Sequence, residues 1–330
     1  MNIKEKIIKL KEELDVTIVA HFYQKDEVFE MADIVGDSLE LAKKSMNTLT
    51  ENIIFCGVGF MGQSVKVLAP QKRVLMPKIA CCAMAKMIDV DYYNMNLKIL
   101  NDAGISNEDI LPITYINSSA EVKAEVGKMD GYVCTSSNAY KIIQKGLESG
   151  KKIFFVPDRC LGQNFAKQIG LKSAVVGIDN IEDVKNADII CFNGFCSVHQ
   201  LFTPLDVDFY REKYPDILVA VHPECDPAIV DKADFVGSTS QLIKYITQDI
   251  SPEQKVVVGT EFNMVNRLRD KNTYILSSTK PECPTMNETT LEDLYNTLLS
   301  IKNNTYENEI TISQDVAKYA KMALTRMFEV

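Results

Sequence analysis

Three segments of the chain run through the same order of features, and this internal repeat limits the fold more than any other property. The first reads VAHFYQ and then ADIVGDSLELAKK, the second TYINSS and then DGYVCTSSNAYKII, the third AVHPEC and then ADFVGSTSQLIKYI. Each is an apolar strand ending in polar residues, a helical stretch, a short strand, and a turn led by Gly or Cys from which Ser or Thr opens another helix. His21 to Ser38 is 17 residues and His222 to Thr239 is also 17, while Tyr115 to Ser136 is 21, with an insertion at 126–130. Each repeat runs on to a cysteine before a helical stretch. His21 to Cys82 and His222 to Cys283 are both 61 residues, and Tyr115 to Cys196 is 81, lengthened by GIDNIEDVKNAD. Such self-similarity marks one supersecondary unit copied along the chain. Three copies packed about a pseudo-threefold axis bring their equivalent positions together.

The units are α/β. Short apolar runs such as VTIVAHF, NIIFCGV, ILPITYI, KKIFFVP, DILVAVH and VVVGT read as buried strands. Their alternation with helical stretches predicts parallel sheets covered by helices on both faces, hence three similar α/β three-layer domains. The first spans 1–88, the second 89–200 and the third 201–311, with a C-terminal helix at 312–330 expected to pack on the first. Ile3, Ile7, Leu10 and Leu14 fall at helical spacing and predict an amphipathic N-terminal helix.

Charge and hydropathy narrow the function. With 45 acidic and 36 basic residues the formal net charge is -9, which argues against a nucleic-acid partner, since phosphate backbones require a clustered basic face. No apolar run approaches the roughly 20 residues of a membrane span, and the charged N-terminus lacks the apolar core of a signal peptide. A cytoplasmic protein with no membrane partner is expected.

Nine cysteines, with no export signal, point away from a disulfide framework and toward metal binding or burial. Cys82, Cys196 and Cys283 alone occupy the repeat-equivalent position. They lie 114 and 87 residues apart, and no C-x-x-C occurs anywhere. Three readings stand side by side here: a zinc site, although structural zinc usually takes close pairs of ligands; a three-cysteine iron–sulfur cluster with one iron open to substrate; and plain burial of small thiols. Burial is the expectation for Cys56, Cys81, Cys134, Cys160, Cys191 and Cys225.

AHFYQ with GDSLELAKKS, FMGQSVKVLAP, YINSSAEVKAEV, CTSSNA, GFCSVHQ, HPEC, GSTSQ and CPTMNETT, in this order, resemble the quinolinate synthase family. The likeness runs from about residue 15 to residue 296. It implies three α/β domains about a pseudo-threefold axis and one 4Fe-4S cluster with three Cys ligands and one open iron. The ligands match Cys82, Cys196 and Cys283, the cysteines that the repeat singles out. The implied reaction condenses iminoaspartate with dihydroxyacetone phosphate to quinolinate, a precursor of NAD, with release of phosphate and water. An L-aspartate oxidase is the implied upstream partner.

Site residues follow from the same likeness. The substrate-binding positions match His21, Ser38, Tyr115, Ile116, Asn117, Ser136, His222, Pro223, Glu224 and Thr239, and a catalytic tyrosine matches Tyr23. The chemistry suits these residue types. Ser38, Ser136 and Thr239 are expected to begin helices, where a hydroxyl either binds an anion or merely caps. His21 and His222 can donate or shuttle protons. Glu224 is the expected general base, with its pKa raised by burial beside a dicarboxylate. Tyr23, Tyr115 and Asn117 are neutral donors for carboxylate and carbonyl oxygens. His199 is read as structural or supporting, with no catalytic role. Two positions depart from the family pattern: Gly59 stands in place of a larger residue and Gln63 in place of a glutamate. The competing class, a non-catalytic iron–sulfur or zinc protein, has no need of this array of hydroxyls, imidazoles and carboxylate.

Overall fold

The computed structural model describes residues 1–269 and 272–330. Thirteen strands are found among them. β1 (Val16–His21), β2 (Ile34–Gly36), β3 (Asn52–Cys56) and β4 (Arg73–Leu75) form one sheet in the order β2-β1-β3-β4. β5 (Ile110–Tyr115), β6 (Tyr132–Cys134), β7 (Lys152–Val156), β8 (Ser173–Val175) and β9 (Ile189–Cys191) form the second, ordered β6-β5-β7-β9-β8. β10 (Leu218–Val221), β11 (Phe235–Val236), β12 (Val256–Gly259) and β13 (Thr273–Ile275) form the third, ordered β11-β10-β12-β13. Every pairing within the three sheets is parallel. The central strands are runs of Val, Ile and Phe with almost no solvent exposure, as helices on both faces require.

The first and third sheets share one strand order, and the second differs by a single extra edge strand. The helix Ile181–Asn186 comes from the GIDNIEDVKNAD stretch and β8, the extra strand, lies just before it, so the 81-residue interval is a 61-residue unit with one more crossover. The shorter insertion lengthens a helix. Ala120–Lys128 has nine residues where its counterparts Asp26–Phe29 and Pro227–Val230 have four.

The C-terminal part of the chain sits differently from the sequence expectation. The helix Gln314–Arg326 packs mainly against Ala120–Lys128 of the second unit, with a smaller contact to Gly59–Leu68 of the first. The lengthened helix provides that surface. At Gly127 the two backbones approach so closely that a Cβ would collide with the Tyr319 carbonyl, and Arg326 donates to Gly131 O at 3.1 Å. The third unit also ends earlier than residue 311. Leu291, Leu294, Leu298 and Ile301 pack with Ile7, Leu10 and Ile18 in a core of the first unit. Ile310 N donates to Val74 O at 2.8 Å, closing the exposed edge of β4. The helix Leu291–Lys302 thus covers the apolar face of the N-terminal helix Ile3–Glu13.

Candidate active site

Parallel strands put all their carboxyl ends on one side of a sheet, and ligands of such sheets gather there. The three sheets present those ends to one shared cavity. The cysteine loops reach it through the same backbone hydrogen bond, made three times. Gly59 N donates to Ala80 O at 2.8 Å, Arg159 N to Gly194 O at 2.9 Å, and Phe262 N to Pro281 O at 2.9 Å. Each acceptor lies two residues before Cys82, Cys196 or Cys283, so the three loops leave their units alike. All three thiols line the cavity. Each is partly exposed, whereas Cys56, Cys134, Cys160, Cys191 and Cys225 are buried in the units; Cys81, expected to be buried with them, is exposed instead. No other cysteine among the described residues lines this cavity.

Burial pushes the Cys82 thiol up to about 12, and it raises Cys196 and Cys283 as well, with the neighbouring thiols of the trio adding to the rise in Cys82 and Cys196. Three converging soft donors of this kind suit iron–sulfur or other thiophilic metal chemistry, and the metal must displace their protons to bind. The Cys283 loop is further held by Glu261, whose Oε1 accepts the Cys283 N–H at 3.2 Å. The other carboxylate oxygen accepts from Asn263 N at 2.8 Å and caps the helix Phe262–Leu268.

At the strand ends the first and third units repeat one turn. Tyr23 N donates to His21 Nδ1 at 3.1 Å, and Glu224 N to His222 Nδ1 at 3.3 Å. Gln24 N and Cys225 N donate to the His21 and His222 carbonyls, each at 3.0 Å. A neutral imidazole whose Nδ1 accepts carries its proton on Nε2. Burial lowers His21 to about 4 and His222 to about 3, so both rings are neutral near pH 7. His222 Nε2 lies 3.2 Å from Ser136 Oγ. Tyr23 and Glu224 therefore hold equivalent places in their units, one phenol and one carboxylate facing the same cavity.

Ser38 and Thr239 are the first residues of the helices Ser38–Met46 and Thr239–Lys244, but they do not cap them. Asp37 accepts from Leu39 N and Glu40 N, each at 3.0 Å, and Ser238 accepts from Gln241 N at 3.4 Å. Ser38 and Thr239 are thus left to line the cavity. Ser136 lines it too, yet it stands in the turn before the helix Ala139–Leu147 rather than at its start. Asp37 joins the units: its Oδ2 accepts from Ser137 Oγ at 3.1 Å and from Ser240 Oγ at 2.7 Å.

Glu224 is enclosed by hydroxyl and imidazole groups from the second unit and by its own His222. Tyr115 Oη donates to Oε1 at 2.6 Å, His199 Nδ1 lies 3.0 Å from Oε2, and His222 Nδ1 lies 3.9 Å from Oε1. The His199 and His222 rings stack with centroids 4.7 Å apart. Burial works to raise the Glu224 carboxyl, but the positive charge that His222 and His199 carry when protonated, with the hydrogen bonds from His199 and Tyr115, outweighs it and holds the group at about 2. The sequence expectation of a raised value is corrected by these partners, which lie in other parts of the chain. His199, Glu224 and Cys196 also bring one ligand atom each within 4.8 Å of one another.

Of the sequence-derived positions, His21, Tyr23, Ser38, Cys82, Tyr115, Asn117, Ser136, Cys196, His222, Glu224, Thr239 and Cys283 all line the cavity. Ile116 and Pro223 do not. Ile116 is buried, and its carbonyl accepts from the buried Lys123 at 2.7 Å, while the Pro223 carbonyl accepts from Asn164 at 2.9 Å. Both support neighbours through the backbone. Asp37, Thr260 and Glu261 are absent from the sequence reading. Gln63 accepts from Ala120 N at 3.1 Å, steadying the helix that follows the Tyr115 loop, a task that needs only an amide oxygen.

A three-sheet α/β protein whose repeated loops deliver three thiols, and whose strand ends deliver imidazoles, hydroxyls and the carboxylates of Asp37 and Glu224, to a common cavity has the site of a small-molecule enzyme. The profile of the quinolinate synthetase A protein (NadA) family matches residues 5–329. A quinolinate synthase of Helicobacter pylori (strain ATCC 700392 / 26695) is 56% identical to this chain, with 99% of this chain and 98% of the relative covered. Quinolinate synthases of Alkaliphilus metalliredigens and Streptomyces coelicolor are 39% and 38% identical, over 100% and 94% of this chain and 98% and 84% of theirs. The chain belongs to the quinolinate synthase family.

Proposed function

We propose that this chain condenses iminoaspartate with dihydroxyacetone phosphate to form quinolinate, releasing phosphate and water, on one 4Fe-4S cluster held by Cys82, Cys196 and Cys283. The observation that carries the reading is the convergence of the three equivalent loop thiols on a cavity rich in proton donors, in a chain of this family. Bound there, the cluster supplies one iron free of protein ligands, a Lewis acid for a carboxylate or hydroxyl oxygen.

The rest of the chemistry falls to side chains. Among the described residues that line the cavity there is no Lys or Arg, so anionic substrates are held by neutral donors and by the metal centre. His21 and His222 offer Nε2–H groups, while Ser38, Ser136, Thr239 and Tyr115 offer hydroxyls. Glu224, ionised and pre-aligned by Tyr115 and His199, takes the carbon-bound protons that a metal cannot remove. Tyr23, facing it from the first unit, works with Glu224 as hydroxyls leave as water. The apolar wall of Val58, Phe60 and Met61 gives the aromatic product a face to lie against.

Among the described residues no helix is long and apolar enough to cross a membrane. We place the reaction in the cytoplasm, with an L-aspartate oxidase as the source of the unstable iminoaspartate. The test is an anaerobic assay on the purified chain with both substrates. Quinolinate and phosphate formed in equal amounts support the proposal. A cluster-replete sample that releases neither excludes it and favours a non-catalytic metal protein.

A further inference from the structure

Resting on that reading, we infer that Arg267, Lys123 and Asn164 are positioning residues, each clamping the two carbonyls on either side of the residue that a strand-end loop presents to the cavity. The presented residues are Tyr23, Asn117 and Glu224, each two past the strand-end His21, Tyr115 or His222. Arg267 donates from Nη2 to Phe22 O and from Nη1 to Gln24 O, the latter at 2.9 Å. Lys123 Nζ donates to Ile116 O at 2.7 Å and to Ser118 O. Asn164 Nδ2 donates to Pro223 O at 2.9 Å and to Cys225 O at 2.8 Å. One side chain thus bridges the preceding and following carbonyls in all three units. The clamps stand behind the loops, outside the set of residues that line the cavity.

The repeat explains two of the clamps and the insertion explains the third. Asn164 and Arg267 come five residues after Arg159 and Phe262, whose N–H groups hold the cysteine loops. Both reach into a neighbouring unit, the third clamping the first and the second clamping the third. The same place in the first unit is Ser64, whose hydroxyl donates to Phe60 O of its own helix at 2.7 Å. The second unit is clamped from within instead, by Lys123 on the lengthened helix Ala120–Lys128. Lys123 is fully buried, with Nζ 5.4 Å from the centre of the Phe60 ring. Burial lowers it to about 7, and amine and ammonium alike have N–H groups for both carbonyls. Asn164 is also buried, and carbonyls only accept, so its Nδ2 must face them. Its Oδ1 is buried with no partner among the described residues, a cost that the two clamp bonds offset.

In the first and third units the clamp acts on a second cavity group. The Phe22 and Pro223 carbonyls belong to the peptides whose N–H groups, those of Tyr23 and Glu224, donate to His21 Nδ1 and His222 Nδ1. A donor on the carbonyl polarises the peptide and strengthens the bond its N–H makes. Arg267 therefore sets both Tyr23 and the tautomer of His21, and Asn164 sets both Glu224 and the tautomer of His222. Lys123 sets Asn117 alone.

The first test does not use turnover. The full chain holds three histidines, so two-bond proton–nitrogen correlations of ¹⁵N-histidine-labelled, cluster-loaded protein separate them, with assignments from His21→Asn and His199→Gln. Asn164→Leu should move His222 Nδ1 from the shift of a hydrogen-bonded acceptor toward the free value and leave His21 in place. Arg267→Met should do the converse, and Lys123→Met should move neither. A change that appears at His21 and His222 together in any one variant overturns the inference, since it marks general loosening. The second test is kinetic. Each of the three variants should keep iron and sulfide and lose kcat by about 10- to 100-fold, the effect of misplacing a reacting group. Arg267→Lys, which keeps a donor nitrogen, should recover most of the loss. Asp26→Asn removes the carboxylate that pairs with Arg267 at 2.8 Å but not the clamp, and should stay within a few-fold of wild type. A wild-type kcat in any of the three overturns the clamp in that unit. A wild-type chain that makes no quinolinate counts against the proposed reaction instead, and the histidine spectra still decide the clamps.

Discussion

Tyr115 Oη donates to Glu224 Oε1 across 2.6 Å, a bond between the end of β5 in the second unit and the loop after β10 in the third. It ties Glu224, one of the two buried carboxylates that line the cavity among the described residues, to a neighbouring unit. Tyr115→Phe removes a charge-assisted hydrogen bond and leaves an ionised group one partner short. Stability should fall by about 1.5–3 kcal/mol, read from urea unfolding midpoints, with iron content unchanged. A midpoint equal to that of wild type would show that the bond contributes nothing net.

Glu224→Gln keeps the size and polarity of the side chain but takes away its basic oxygen pair. The cluster should stay intact and a dicarboxylate analogue should bind almost normally, while turnover drops at least about 100-fold. Turnover within a few-fold of wild type in a cluster-replete sample would assign the base to His21 or His222.

The three hydroxyls are not needed as helix caps, because Asp37 and Ser238 do that work and Ser136 precedes its helix. Ser38→Ala, Ser136→Ala and Thr239→Ala should therefore leave thermal stability within about 0.5 kcal/mol of wild type. Quinolinate affinity should weaken roughly 10- to 150-fold in each, for one lost bond of about 1.5–3 kcal/mol. Calorimetric titration that finds all three unchanged would remove them from the binding surface.

Buried neutral histidines make the fold sensitive to acid. His21 titrates near 6.5 in an unfolded chain and is lowered to about 4 in the fold by burial. Between these values the unfolded state binds the proton and the folded state does not, so stability falls as pH drops from about 6.5 toward about 4. His21→Asn, which offers an oxygen in place of Nδ1, should flatten this fall in urea midpoints. An unaltered slope would assign the acid sensitivity to other groups.

The repeat made most of the architecture readable from sequence. β1, β3, β5, β7, β10 and β12 lie within the apolar runs, and β2, β6 and β11 are the short strands ahead of the Gly- or Cys-led turns of the repeat, because buried parallel strands are continuous Val, Ile and Phe stretches. The cysteine and strand-end positions follow from equivalence alone. What equivalence cannot convey is which side chains from different units meet. The Asp37–Ser240 bond spans 203 residues and the Tyr23–Thr260 contact 237, and neither position carries a local pattern that names its partner. Asp37 had one available signal, an Asp just ahead of a helix with Glu three residues later, the mark of a capping box. The surfaces that cover the helices Leu291–Lys302 and Gln314–Arg326 are hidden from the sequence for a related reason. An amphipathic helix declares that one face is covered, but not by which unit.

The account rests on three equivalent loops delivering three thiolates and leaving one iron for substrate. Mössbauer spectra of anaerobically purified ⁵⁷Fe-labelled chain, with and without quinolinate, test this directly, alongside iron and sulfide counts in the Cys82→Ser, Cys196→Ser, Cys283→Ser, Cys160→Ser and Cys225→Ser variants. The account predicts a 4Fe-4S signal in which one iron of the four changes when quinolinate binds. It also predicts loss of the cluster in the first three variants and its retention in the last two. Full iron and sulfide in Cys196→Ser, or a spectrum in which no iron responds to quinolinate, would contradict it.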